Sequence, residues 1–139
     1  GTGGIQVQHC ECIGELNAVR AAVEYLRSNG AEQIDLAGYS FGAWVNARTV
    51  IDESQLANMI MVSPPVAFID FESISDLNSL RLIMTGSRDD IAPPDLIKKS
   101  CAGWNADAQF EVILGADHFY AGYLDKLEAI LRAHLAGRE

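Results

Sequence analysis

The sequence predicts an α/β fold in which a parallel sheet of about four strands carries helices on both faces. The first observation behind this prediction is an alternation along the chain between segments of helical period and short strand-like runs. The second is the character of those runs, which are continuously apolar, as expected of strands covered on both sides. The third is the size and composition: 139 residues, of which 49% are hydrophobic, suit a single domain with its own core. We therefore expect one α/β-type domain over residues 1–139.

The first third of the chain predicts a helix, a strand and a second helix. Apolar residues three or four positions apart form one helical stripe; they are Ile13, Leu16, Val19, Val23 and Leu26. Gly30 follows as a helix stop, because glycine tolerates the left-handed backbone conformation. A strand is predicted over 33–38, and the second helix follows at once over 41–51.

The rest of the chain continues the alternation. Strands are predicted over 58–62, 81–85 and 110–114, and helices over 75–80 and 94–101. A last helix carries apolar residues at intervals of three and four; they are Tyr120, Leu124, Leu127, Leu131 and Leu135. In parallel sheets of this kind chemistry gathers at the carboxyl ends of the strands, so the residues just after each strand are the ones to inspect.

Composition excludes several classes of partner and location. Ten basic against nineteen acidic residues give a net charge of −9, which repels phosphate backbones and anionic lipid. We therefore expect no nucleic-acid and no membrane partner, and no apolar stretch approaches the length of a membrane-spanning helix. Three cysteines are too few, and odd in number, for a disulfide framework, which favours reduced thiols and a cytoplasmic location.

A small group of metal-ligating side chains lies near the N-terminus. His9, Cys10 and Cys12 are close in sequence, but a structural zinc site usually draws on two separated pairs of ligands. No second pair exists, so these residues are better explained as loop and helix-entry residues. We expect no metal and no other cofactor.

The pentapeptide Gly38-Tyr39-Ser40-Phe41-Gly42 follows the first predicted strand and precedes the second predicted helix. This Gly-x-Ser-x-Gly pattern is typical of a tight turn that lifts a serine hydroxyl clear of the sheet as a nucleophile. The N–H of Phe41, at the start of the helix, is placed to donate to a developing oxyanion. A glycine-rich turn with an incidental serine is the alternative, and the strand before and helix after the pattern count against it.

Two further strand ends carry residues that a serine nucleophile needs. Asp89 and Asp90 follow the third strand, where either one could orient a base or simply cap the following turn. His118 follows the fourth strand and is a candidate base. His9 and His134, by contrast, are predicted to be ordinary polar surface. The chain order serine, aspartate, histidine is the order found in α/β-hydrolases, and it favours a shared site over three unrelated surface residues.

The sequence resembles the α/β-hydrolase superfamily, and within it the small bacterial branch of predicted α/β-superfamily hydrolases. The likeness lies in three segments, which are 38–44, 86–93 and 115–119. The resemblance implies Ser40 as nucleophile and His118 as base, and its spacing of three residues after Gly86 selects Asp89 over Asp90 as the acid. It also implies a partial α/β-hydrolase fold, since the chain looks like the C-terminal part of such a protein.

Proteins of this family begin with several strands and with a loop that supplies the second oxyanion donor. No segment of this sequence matches those strands or that loop. The strand over 33–38 would then be a bare sheet edge, and bare edges invite pairing with another chain. We therefore expect either homo-oligomers formed through this edge or a longer polypeptide of which these residues are an excerpt.

The leading hypothesis is a serine hydrolase that acts on an ester, thioester or related acyl bond of a small-molecule substrate. Tyr39, Trp44 and Phe119 are candidate substrate-binding residues, and Tyr120 is a further candidate for lining the same pocket, with ordinary core packing as an equal alternative for all four. A non-catalytic ligand- or protein-binding module of the same fold is a second hypothesis, since fold does not dictate function. A peptidase or acyltransferase of this fold is a third.

Overall fold

A computed structural model describes residues 12–30, 34–49 and 56–137, in which helices and strands alternate. The elements are α1 (Cys12–Ser28), β1 (Ile34–Tyr39), α2 (Phe41–Thr49), β2 (Leu56–Val62), β3 (Leu80–Gly86), α3 (Pro94–Asn105), β4 (Gln109–Ile113) and α4 (Leu124–Gly137). The predicted α/β class is confirmed, and His9 and Cys10 lie outside the described residues, as do the last two positions of the helix predicted over 41–51.

The four strands form one parallel sheet in the order β1-β2-β3-β4. Tyr39 pairs with Val62, and Val62 pairs with Met84, so the carboxyl ends of the first three strands lie side by side. Gly86 pairs with Ile113 at the corresponding end of β3 and β4. This register brings the segments that follow all four strands to one edge of the sheet, where parallel sheets place their chemistry.

Helices α2 and α3 cover one face of the sheet together with the loop between β2 and β3. Ala43 and Ala47 of α2 pack against Met59, Met61 and Ile83, which point to the same side of adjacent strands. From α3 this core receives the buried side chains of Ile97 and Trp104. The small alanines let α2 approach the sheet closely, so the serine that precedes this helix is held against the strand ends.

Helix α4 covers the opposite face. The alternate side chains of the central strands form this second core, which consists of Ile60, Val62, Leu82 and Met84. Leu127, Ile130 and Leu131 pack against it from α4, at spacings that match one helical stripe. The expectation of helices on both faces is therefore confirmed.

The helix predicted over 75–80 is wrong, and hydrogen bonding explains the difference. The N–H groups of Asp76 and Leu77 donate to the carbonyls of Gly103 and Trp104 at 3.0 and 2.7 Å. These carbonyls belong to the last turn of α3, where carbonyl groups have no N–H partner within the helix. The loop satisfies them instead of forming a helix, and Leu80 already begins β3.

Two predictions about the C-terminal segment also need correction. Tyr120 lies four residues before α4 and has a positive φ of 57°, so it is not part of the helical stripe. His134 is half-buried rather than free on the surface, and its Nε2 lies 3.0 Å from Oδ1 of the buried Asn58. No helix within the described residues combines the length and the apolar character needed to cross a bilayer.

Candidate active site

Ser40 is the single residue between β1 and α2, and its backbone is left-handed with φ 55°. Its N–H donates to the carbonyl of Val62 at 2.8 Å, which ties the turn to the end of β2. A Cβ at Gly38 would lie 2.7 Å from the backbone of Gly42, so this glycine is required by close packing. A Cβ at Gly42 itself would meet no atom within 4 Å, so close packing requires only the first of the two glycines that flank Ser40.

A second close approach joins the segments that follow β3 and β4. A Cβ at Gly86 would overlap the carbonyl of Ala116 and lie 2.6 Å from its carbon. Two residues later, the N–H of Arg88 donates to the same carbonyl at 2.9 Å. The contact places Asp89, three residues after Gly86, beside His118, two residues after Ala116.

Asp89 is buried, with 2% of its surface exposed, and its carboxylate is held by several donors. The backbone N–H groups of Ile91 and Ala92 both donate to Oδ1, at 2.9 and 2.7 Å. Burial alone would raise the pKa of Asp89, but hydrogen bonds from His118, the Ala92 N–H and the Ser63 hydroxyl outweigh it and lower the pKa below its usual value. The carboxylate is therefore ionised at neutral pH.

The imidazole of His118 connects the two strand-end residues. Its Nε2 lies 2.8 Å from Ser40 Oγ, and its Nδ1 lies 3.0 Å from Oδ2 of Asp89. The ring is buried, with 6% of the residue exposed. Asp90 is exposed and stands outside this arrangement, so the structure brings together Ser40, Asp89 and His118 and leaves out the second aspartate. In this arrangement the serine hydroxyl can pass its proton to the imidazole while the carboxylate holds the ring in its orientation.

Phe41 is the first residue of α2, directly after Ser40. The N–H groups of a first helical turn have no carbonyl partner within their own helix, which leaves that of Phe41 available beside the serine hydroxyl. The role of Phe41 as an oxyanion donor stays a prediction.

Three of the aromatic residues predicted to line the substrate pocket, Tyr39, Trp44 and Phe119, lie in different surroundings. Tyr39 and Phe119 both line a largely apolar cavity of about 410 Å³ beside α4. Trp44 does not line it: its ring stacks on Phe41 at 5.5 Å, and its Nε1 donates to the carbonyl of Asp70 at 3.3 Å. Trp44 packs against the core on the α2 and α3 side of the sheet, so it lies apart from the other two.

Tyr39 also has a structural contact that its sequence position does not reveal. Its hydroxyl donates to the backbone carbonyl of His118 at 2.6 Å, and the two rings lie 5.4 Å apart. Burial and the nearby carboxylates of Asp89 and Asp117 raise the pKa of the Tyr39 phenol, so it keeps its proton for this bond. Tyr39 thus ties the nucleophile turn to the histidine loop.

Sequence reasoning missed Ser63 at this site, and it gave Tyr120 only as a candidate pocket-lining aromatic. Both are buried, and their hydroxyl oxygens lie 2.5 Å apart next to Asp89. Ser63 directly follows β2, so the rule that polar residues gather at strand ends could have found it. Tyr120 carries no such signal, because its spacing fits the helical stripe that follows.

Within residues 12–30, 34–49 and 56–137, no group of three or more His, Cys, Asp and Glu side chains is arranged to hold a metal ion. Of the three metal-ligating residue types near the N-terminus, His9 and Cys10 lie outside these ranges, and the structure does not describe the side chain of Cys12. Cys101 is a free thiol whose pKa is raised by burial.

Comparison with known proteins places the chain beside bacterial hydrolase structures. No family model matches it. An uncharacterized protein of Rickettsia prowazekii is 29% identical over 130 residues, which cover 86% of this chain and 55% of that protein. A solved α/β serine hydrolase homologue from Coxiella burnetii is 31% identical with a TM-score of 0.82, and the match covers 97% of this chain and 65% of that one.

A second solved structure, from Xanthomonas campestris, is described as an α/β serine hydrolase without a lid. It is 25% identical with a TM-score of 0.75, over 86% of this chain and 55% of that one. The chain therefore spans between 55% and 65% of the length of these three proteins.

Proposed function

The chain is a member of the α/β-hydrolase superfamily that corresponds to part of the length of its solved relatives, and we propose that it acts as a serine hydrolase on an ester, thioester or related acyl bond. One observation carries the proposal: Ser40 Oγ lies 2.8 Å from His118 Nε2, and His118 Nδ1 lies 3.0 Å from Asp89 Oδ2. Hydroxyl, imidazole and carboxylate in this order form the proton relay of a nucleophilic serine.

In the first half of the proposed reaction, Ser40 Oγ forms a bond to the substrate carbonyl carbon while His118 Nε2 takes the hydroxyl proton. The electron pair of the carbonyl moves to its oxygen, where the N–H of Phe41 donates to the negative charge. When the tetrahedral intermediate collapses, the bond to the leaving group breaks and His118 returns the proton to it. The product of this half is an acyl group on Ser40.

In the second half, water repeats the steps. His118 takes a proton from the water as its oxygen attacks the acyl carbon, and it returns that proton to Ser40 Oγ when the acyl bond breaks. Asp89 stays ionised throughout, because several hydrogen bonds hold its pKa low. It keeps the proton of the neutral imidazole on Nδ1 and stabilises the imidazolium. The mechanism needs no metal or organic cofactor.

Phe119 is the best-placed of the candidate substrate contacts. Its residue surface is 70% exposed, and its ring stands edge-on to that of His118 at 5.4 Å between centroids. An exposed apolar ring beside the general base suits an acyl or alcohol group of the substrate. Tyr39 would contribute through its ring, since its hydroxyl is committed to the His118 carbonyl. Trp44 is the weakest candidate because it packs on the other side of the sheet.

Two further features of the activity are proposals. We propose an open site, which suits small or extended substrates; the similar protein from Xanthomonas campestris is described as lacking a lid. A cytoplasmic location stays a prediction, which rests on the cysteine content alone.

An activity-based fluorophosphonate probe tests the proposed function, since it reacts only with an activated serine. We expect labelling of the protein, loss of labelling in Ser40→Ala, and a large loss of labelling rate in His118→Asn. Ser73→Ala is the matched control, because Ser73 lies exposed in the loop between β2 and β3. A folded protein that the probe does not label, or labelling that persists in Ser40→Ala, would overturn the proposal.

A further inference from the structure

The hydroxyl of Tyr39 holds the backbone of His118 rather than its ring. Tyr39 is the last residue of β1, and its phenol donates to the His118 carbonyl at 2.6 Å across 79 positions of sequence. A carbonyl oxygen can only accept, so the direction of this bond is fixed. Tyr39 pairs with Val62 of β2 in the parallel ladder. The bond therefore ties the backbone of His118 directly to the sheet.

The loop that carries His118 depends on contacts from outside it. Residues 114–123 connect β4 to α4 without a helix or strand of their own, and three of them have a positive φ. The Arg88 N–H donates to the Ala116 carbonyl at 2.9 Å, which anchors the first part of the loop to the segment after β3. The bond from Tyr39 anchors the loop again two residues later, this time to β1.

Two neighbouring residues thus contact the main chain and the ring of one histidine. Ser40 Oγ lies 2.8 Å from Nε2 of the His118 ring, while the hydroxyl of Tyr39 bonds to the carbonyl of the same residue. The other ring nitrogen, Nδ1, lies 3.0 Å from Asp89 Oδ2. The rings of Tyr39 and His118 lie 5.4 Å apart with 31° between their planes. His118 is thereby held through its carbonyl and through both ring nitrogens.

The proposed reaction breaks one of these contacts and leaves another intact. In the first half the Ser40 hydroxyl gives its proton to His118, and in the acyl intermediate its oxygen carries the acyl group. It then has no proton to donate to Nε2. The carbonyl of His118 takes no part in making or breaking covalent bonds, so the bond from Tyr39 persists. Water must then be deprotonated by an imidazole that has lost its contact with the nucleophile.

We propose that Tyr39 is a positioning residue that holds His118 in place for the second half of the reaction, when the acyl group on Ser40 passes to water. This inference rests on the proposed hydrolase function. Because the Tyr39 hydroxyl is committed to the main chain of His118, it acts through this residue rather than on the substrate. The hydroxyl therefore supports deacylation more than acylation.

Tyr39→Phe removes the hydroxyl and keeps the ring. Stopped-flow hydrolysis of a p-nitrophenyl ester separates the two halves, since the burst of p-nitrophenolate reports acylation and the steady state that follows reports deacylation. We expect the deacylation rate to fall about threefold to tenfold, the factor that one neutral hydrogen bond supplies. The acylation rate and the rate of fluorophosphonate labelling should stay within about twofold, because the Ser40 hydroxyl still holds the ring during the first half.

Tyr123→Phe is the matched control. Tyr123 lies in the same loop, is half-buried and packs against the core on the α4 side, so its variant loses a phenol hydroxyl without altering the bond from Tyr39. Both of its rates should stay within about twofold of those of the unaltered protein.

The competing roles of the Tyr39 hydroxyl give different patterns. A substrate-binding role predicts that Tyr39→Phe raises KM and leaves the deacylation rate unchanged. A merely structural role predicts that both rates fall by the same factor together with the urea midpoint. Either pattern, or a Tyr39→Phe protein that does not fold, would overturn the inference.

A second measurement needs no activity. Ser40→Ala imitates the acyl stage, because the hydroxyl contact with Nε2 is gone, and NMR follows how fast the proton on His118 Nδ1 exchanges with water. We expect this exchange to be at least about threefold faster in Ser40→Ala/Tyr39→Phe than in Ser40→Ala, and unchanged in Ser40→Ala/Tyr123→Phe. Equal exchange in the first two proteins would contradict the role of Tyr39. Failure of the unaltered protein to react with the fluorophosphonate probe would instead overturn the proposed function, while the exchange comparison would still show whether Tyr39 holds His118.

Discussion

The substitution Asp89→Asn, compared with Asp90→Asn, tests the proposed relay most directly. Asp89 Oδ1 accepts the N–H groups of Ile91 and Ala92, while Oδ2 faces His118 Nδ1 at 3.0 Å. Asparagine has the same shape and can keep the two backbone bonds through its carbonyl oxygen. Its NH2 group then faces the imidazole and favours the tautomer that carries the proton on Nε2. In that tautomer His118 cannot accept the proton of Ser40.

The magnitude follows from the same geometry. In a serine protease the equivalent substitution of aspartate by asparagine, which leaves the histidine in the wrong tautomer, lowers kcat about 10⁴-fold. This factor corresponds to about 5 kcal/mol of transition-state stabilisation. Folding should lose about 1.5–3 kcal/mol as well, because a buried hydrogen bond to a charged group is removed. Asp90 is exposed, so its substitution should change activity by no more than about twofold and stability by about 0.5 kcal/mol or less.

The assay is hydrolysis of a chromogenic p-nitrophenyl ester, with the rate of fluorophosphonate labelling as a second readout. Circular dichroism and urea unfolding establish that each variant is folded. Asp90→Asn losing as much activity as Asp89→Asn would refute the assignment of the acid. A folded Asp89→Asn protein that keeps more than about a tenth of the activity would refute the relay itself.

Three further predictions concern stability and assembly. Because the pKa of Asp89 is lowered in the folded state, its ionised form stabilises the fold above the unfolded-state pKa of about 3.9, and this contribution is lost as the pH falls towards the folded-state pKa. Urea unfolding should therefore show a gap between the unaltered protein and Asp89→Asn that narrows on acidification below that pH; a constant gap would contradict this. Gly86→Ala should destabilise by about 1–3 kcal/mol, since the new Cβ would overlap Ala116. Gly103→Ala in α3 meets no atom within 4 Å and should stabilise by about 0.5–1 kcal/mol, so the opposite order of urea midpoints would show that the packing argument is wrong. Finally, β1 pairs with β2 along one side and has no second strand partner among the described residues, so we expect association between copies through this edge. Size-exclusion chromatography with light scattering should give a mass above that of one chain, and a monomer at all concentrations would rule this out.

The strand-end residues show how far local sequence information reaches. The turn around Ser40 depends on neighbours within two positions and on the strand and helix beside it, so its pattern is readable from the chain. The alternation of apolar runs and helical stripes is equally local, which is why the α/β class and most element bounds agree with the structure. The choice of Asp89 over Asp90 is different, because it came from the resemblance, and in the structure it depends on the contact between Gly86 and Ala116.

The helix predicted over 75–80 is absent because contacts with residues distant in sequence decide the conformation of this segment too. Its residues have no strong helical signal of their own, and the carbonyls of Gly103 and Trp104 compete for their N–H groups from 27 residues away in sequence. Tyr120 fits the spacing of the following stripe, yet its hydroxyl bonds to Ser63 and its backbone turns left-handed before α4 begins. Contacts with residues distant along the chain produce no periodic pattern in the sequence, so they could not be predicted from it.

The sequence by itself determined the class of fold, the turn that presents Ser40, and the order in which serine, aspartate and histidine follow their strands. Those features arise from backbone sterics and from the period of apolar side chains, which act over a few residues. Only the tertiary structure decided which carboxylate faces His118, that Trp44 lies away from Phe119, and that Ser63 and Tyr120 meet behind Asp89. The contacts of Asp89 with His118 and of Ser63 with Tyr120 join residues 29 and 57 positions apart, and they exist because parallel strands bring their carboxyl ends to one edge of a sheet.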